Sequence, residues 1–129
     1  MKQFIEYAAV GAAGFAGAVS RLALTRFCAW TLGTGFPFGT MLINVGGSFL
    51  LGWLYTIITD RSVMSATMRL TIGVGFLGAF TTFSSLMYES HALAADGAWQ
   101  KSVFNLLGSL LLGMIAVWLG VALGVRMTR

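Results

Sequence analysis

Charge is what this chain has least of. Only 9% of its 129 residues are charged, against 57% hydrophobic, and a mean hydropathy of +0.84 lies far outside the range of a water-soluble domain. A core wrapped in a charged surface is excluded, and the chain reads as a membrane protein. A single cysteine, Cys28, excludes an intrachain disulfide and reads as a small buried apolar residue. The single histidine, His91, has no other ligand type at a helical spacing, so a transition-metal centre is not expected. The single proline, Pro37, stands just before an apolar run and fits a helix start. Carboxylates are absent from the middle of every apolar stretch: Glu6 lies near the start of the first, Glu89 past the middle of the third, and Asp60 and Asp96 in links.

What remains is four long apolar stretches, over residues 4–30, 38–58, 68–94 and 99–125, each able to cross ~30 Å of hydrocarbon as a helix. The expected fold is all-α, one four-helix transmembrane domain over residues 1–129, with links too short for an extramembrane domain. The first stretch is read as a retained span rather than a signal peptide, because Arg21 interrupts it and no cleavage site stands out. A formal charge of +4 would suggest nucleic acid in a soluble protein. Here the basic residues flank spans and report topology, so no nucleic-acid partner is expected. Lys2, Arg61, Arg69, Arg126 and Arg129 fall on the side of the termini and Arg26 and Lys101 on the other, which puts the termini in the cytoplasm. Gly11, Gly14 and Gly17 in the first span and Gly120 and Gly124 in the fourth offer faces for close helix packing, and four helices alone enclose no aqueous path, so an oligomer is expected.

The polar residues inside the spans carry the chemistry. The third span holds "GAFTTFSSLMYES", residues 78–90, where glycine, threonine and serine together make a weak helix. Two readings stand: a break whose freed carbonyls face protein, water or an ion, or a continuous helix whose hydroxyls bond back to carbonyls one turn earlier. Asn44, in the second span, needs a partner or a wet path, because an unpaired amide in hydrocarbon costs on the order of 4 to 8 kcal/mol. Asn105 and Ser109, four apart in the fourth span, are expected on one helix face. Arg21 is the one cation deep in a span, placed there to act on an ion or to snorkel and bond freed carbonyls. Neutral donors and phenylalanine ring edges suit an anion. Without a central acid a proton-coupled multidrug exporter is disfavoured, and a non-transporting assembly subunit would leave Asn44, residues 81–85 and Ser109 unexplained.

Four segments resemble the Fluc, or CrcB-type, fluoride channels. "GFAGAVSRL" is similar to that family's Gly-Ala-x-x-Arg segment, "FGTMLINVGGSFLLG" to its Gly-Thr-x-x-x-Asn-x-x-Gly segment, "GVGFLGAFTTFSSLMYE" to its third-span motif, and "NLLGS" to its fourth-span signature. The resemblance implies passive fluoride export across the cell (inner or plasma) membrane, with no enzymatic turnover. It implies an antiparallel, dual-topology homodimer in lipid, with two pores at the interface and a structural sodium ion at the centre, held by the backbone carbonyls of Gly78 and Thr81. A pair of distinct homologous subunits is the alternative assembly. Carried over by position, the pore residues are Asn44, Phe83, Ser84 and Ser109, with Thr40 in the vestibule, Thr82 beside the ring, and Asn105 at a polar position of span 4; Arg21 and Glu89 take structural or vestibule roles. Three positions depart from the pattern. Leu86 stands for the family's second ring, Ala79 and Phe80 for its glycine and aliphatic residue, and Gly113 for its threonine. Either Phe80 turns inward to supply a ring, or one ring per pore suffices.

Overall fold

The structure, a computed structural model, describes residues 1–61 and 64–129. Ser62, Val63 and the side chains of residues 59–61, Asp60 and Arg61 among them, lie outside the described residues. Helix α1 (Lys2–Leu32) has 31 residues and is about 46 Å long at ~1.5 Å per residue, so it must tilt to fit a bilayer core. It stops at Gly33, whose φ of +80° is open to glycine and strained for other residues. Helix α2 (Phe38–Arg61) starts directly after Pro37, whose carbonyl accepts the Met41 amide at 3.3 Å.

Helix α3, residues 66–80, opens under a cap in which Ser65 Oγ accepts the Met68 amide at 3.2 Å. It widens into π turns over Leu70–Leu77 and closes with one α turn, Gly78–Phe80. Thr81 and Thr82 are extended, at ψ 156° and 117°, and helix α4 (Phe83–Ala95) follows in the same span. Helix α5 (Trp99–Thr128) contains a second π segment, Phe104–Gly108. Four stretches are long and apolar enough to cross a membrane, Lys2–Leu32, Phe38–Ile58, Ala66–Ala95 and Trp99–Thr128. The described residues contain no strand.

Glycines decide which helices touch. A methyl group on Gly17 of α1 would overlap the Phe76 carbonyl of α3, and one on Gly75 would lie 2.8 Å from the Val10 carbonyl. Between α2 and α5, a methyl on Gly120 would overlap the Phe49 carbonyl, and methyls on Gly52 and Gly124 would lie 2.6 Å from the Val117 carbonyl and 2.7 Å from Thr56 Cβ. So α1 pairs with α3 and α2 with α5, backbone against backbone. The buried apolar set is small, chiefly Ile43, Ile58, Leu77, Leu86 and Ala116. Phe4, Phe15, Trp30, Leu111 and Trp118 stand on the outside, as suits a lipid-facing surface.

Candidate functional site

The extended pair Thr81–Thr82 is gripped from α2. Asn44 Nδ2 donates to the Thr82 carbonyl at 2.9 Å, and the Thr82 amide donates to Asn44 Oδ1 at 2.8 Å. Because an amide N–H can only donate and a carbonyl only accept, this pairing also fixes which way the asparagine side chain points. One helical turn further along α2, Gly47 clears space for the Thr81 methyl group, which a Cβ there would strike. On the other side, Thr82 caps α4: its Oγ1 accepts the Ser85 amide at 3.2 Å and donates to Ser85 Oγ at 3.0 Å.

These bonds change the state of two carbonyls. In a continuous helix the Thr82 amide would serve the Gly78 carbonyl, and the Ser85 amide the Thr81 carbonyl. Both amides are taken, by Asn44 and by the Thr82 hydroxyl. Thr81 keeps its own helical bonds, its amide and its hydroxyl both donating to the Leu77 carbonyl at 3.0 Å.

A cleft of about 390 Å³ opens beside this junction. Asn44, Gly78, Thr81, Thr82, Phe83, Leu86, Ser109 and Gly113 line it. Phe83 is 67% exposed and Leu86 only 3%, so the ring is presented outward while the leucine closes the floor. Ser109 Oγ is buried with no partner within the subunit. Ser84 is exposed, its hydroxyl 3.4 Å from that of Thr82. Thus Asn44, Thr82, Phe83 and Ser109 come together with Gly78 and Thr81, on α2, the α3–α4 junction and α5.

A second cleft, of about 330 Å³, lies toward the Gly33–Pro37 link and is lined by Cys28, Thr40, Glu89 and Asp96 among others. Thr40 Oγ1 donates to Glu89 Oε1 at 2.7 Å, joining α2 to α4, while Glu89 Oε2 is buried without a partner. Phe80 lines neither cleft: its ring stacks on Phe76, with centroids 5.9 Å apart and planes at 9°. Arg21, partly buried on α1, lines neither. Asn105 is wholly buried and donates through Nδ2 to Ser90 Oγ at 2.9 Å. Asn105 and Ser109 are both buried, Asn105 bonding to α4 and Ser109 lining the first cleft.

Three participants escape a reading of the sequence. Ser90 and Ser102 belong to the Asn105 cluster, with Ser102 Oγ donating to the Ser90 carbonyl at 2.6 Å. Gly47 was legible in principle, because it follows Asn44 by three residues and therefore shares its helix face.

The chain is similar to known proteins along most of its length. The family model described as "CrcB-like protein, Camphor Resistance (CrcB)" matches residues 8–121. Similar proteins include the fluoride-specific ion channel FluC of Prosthecochloris aestuarii, 44% identical over 126 residues, 95% of this chain and 94% of that one. FluC of Chlorobium phaeobacteroides is 42% identical over 114 residues, 88% of each chain. FluC of Vibrio parahaemolyticus is 37% identical over 126 residues, 98% of this chain and 99% of that one.

Proposed function

The chain belongs to the CrcB-like family, and from that premise we propose that it is a fluoride-selective ion channel, a multi-pass membrane protein with no catalytic turnover. The observation that carries the reading is the cleft in which Asn44, Thr82, Phe83 and Ser109 converge with no carboxylate among its lining residues. Hydroxyls, an amide and the positive edge of a phenylalanine ring can replace water around a small anion. A narrow row of such donors gives larger, softer anions a poor fit.

Transport needs no energy input. Hydrogen fluoride crosses a membrane uncharged and ionises in a more neutral interior, and a resting potential of ~100 mV drives each anion outward by about 2.3 kcal/mol. The membrane is accordingly the cell (inner or plasma) membrane.

Assembly completes the path. The cleft is an open groove on one subunit, and an antiparallel second copy would cover it and create two pores at the interface. The exposed Phe83 and the apolar outer faces support that arrangement. With Phe80 stacked on Phe76 and Leu86 in the floor, the reading favoured here is one ring per pore. The carbonyls of Gly78 and Thr81, relieved of their helical amides, fit a hard monovalent cation. Two such pairs from two copies would hold a structural sodium ion in a break near the membrane centre, and sodium would supply fixed positive charge between the subunits.

The test is fluoride efflux from proteoliposomes followed by a fluoride electrode, with chloride and ethidium as controls. Fluoride alone should move. Ethidium flux coupled to protons would replace this reading with an exporter, and silence toward all three would leave an assembly subunit.

A further inference from the structure

Asn44 stands in the first cleft as a donor an anion could use, yet both functional atoms of its side chain are already engaged. Nδ2 donates to the Thr82 carbonyl at 2.9 Å and Oδ1 accepts the Thr82 amide at 2.8 Å. The side chain thereby does for Thr82 what a neighbouring strand does for an extended residue, satisfying N–H and C=O together. One Nδ2 hydrogen is left for any other ligand.

The captured amide is the one that would close the helix. Released from Asn44, the Thr82 N–H has an obvious acceptor in the Gly78 carbonyl one turn earlier, because an unpaired amide at this depth is costly. Helical closure at Thr82 would consume the Gly78 oxygen and draw Thr81 out of its extended conformation. Gly47 works in the same direction, since the space it leaves on α2 is filled by the methyl group of extended Thr81.

We propose that Asn44 is a positioning residue for the cation site: by holding the Thr82 amide away from the Gly78 carbonyl, it keeps the α3–α4 junction unwound and the carbonyls of Gly78 and Thr81 available to sodium. This rests on the sodium reading above. It gives Asn44 a second task, distinct from its place in the anion path, and it couples the two ions through one side chain.

The experiment uses the purified full-length chain in detergent, exchanged into choline chloride and titrated with sodium chloride. Two quantities are read: the sodium concentration giving half of the thermal stabilisation, and the ¹³Cα shifts of labelled Thr81 and Thr82, which separate extended from helical backbone. For Asn44→Ala the sodium midpoint should rise by at least about tenfold, the usual scale for losing a residue that orients a metal's ligands, and the threonine shifts should move toward helical values. Asn44→Asp keeps an acceptor for the Thr82 amide and should retain sodium dependence. Should Asn44→Ala fail to accumulate, Asn44→Ser, too short to span both Thr82 atoms, carries the same expectation. A wild-type midpoint with extended shifts in the Ala or Ser variant overturns the proposal, as does a loss in Asn44→Asp as severe as in Asn44→Ala. Fluoride efflux is measured alongside. Wild-type protein that conducts fluoride without any sodium dependence overturns the positioning role and leaves the channel standing. Protein that binds sodium but passes no fluoride does the reverse.

Discussion

Helix α2 meets its neighbours in two different ways. Against α5 it presents Phe49 and Trp53 to Gly120 and Gly124, and Gly52 to Val117, and the contact is largely backbone on backbone. The fit of the two backbones is the main contact of that seam, with Trp53 Nε1 donating to Met127 Sδ at 3.3 Å near the end of α5. Against the α3–α4 junction it presents Asn44 and Gly47, and the contact is a pair of hydrogen bonds to Thr82 beside a fitted methyl group. The difference shows that a helix in lipid can hold a complete neighbour chiefly by closeness. An incomplete one needs a side chain that carries both a donor and an acceptor.

Four substitutions probe that contrast. Gly120→Ala strikes the seam: the added methyl overlaps the Phe49 carbonyl and lies 2.8 Å from the Trp53 amide, and overpacking of this kind costs about 3 kcal/mol. Thermal unfolding in detergent should drop accordingly, with ion selectivity unchanged in whatever protein remains folded. Thr40→Val removes another polar contact of α2, leaving Glu89 Oε1 without its 2.7 Å donor; orphaning a part-buried acceptor costs about 2 kcal/mol, read as lost stability. Phe83→Ile keeps bulk and removes the ring edge. A penalty of ~1.4 kcal/mol at the anion's barrier is about a tenfold slower fluoride efflux, and wild-type efflux from folded protein would remove Phe83 from the path. Ser109→Ala should not lower stability, because its buried hydroxyl has no partner within the subunit to lose. Efflux should still slow measurably, and a variant indistinguishable in both assays would take Ser109 off the path.

The spans were readable because bilayer thickness imposes one length on every crossing helix, and residues 38–58 and 99–125 predicted α2 and α5 to within a few residues. The grouping of Asn44, Thr82, Phe83 and Ser109 was legible only through the resemblance to a family. No periodicity brings residues 38 apart into contact, as in the bonds between Asn44 and Thr82, or 49 apart, as between Thr40 and Glu89. The need of Asn44 for a partner followed from the cost of an unpaired amide, while the partner's identity did not. The π turns of Leu70–Leu77 and Phe104–Gly108 escaped notice because they arise where helices adapt to one another. Asn105, for its part, bonds Ser90 and does not line the first cleft.

The reach of the Asn44–Thr82 pair also sets an order for biogenesis. While the chain is being threaded into the bilayer, residues 66–95 cannot cross as an interrupted segment on their own, since nothing yet shields the polar groups of Thr81 and Thr82 from lipid. They would cross as one temporary, uninterrupted helix and open only after docking beside α2. On this reasoning opening would follow docking, and ribosome-bound intermediates arrested before it should still have a closed third span.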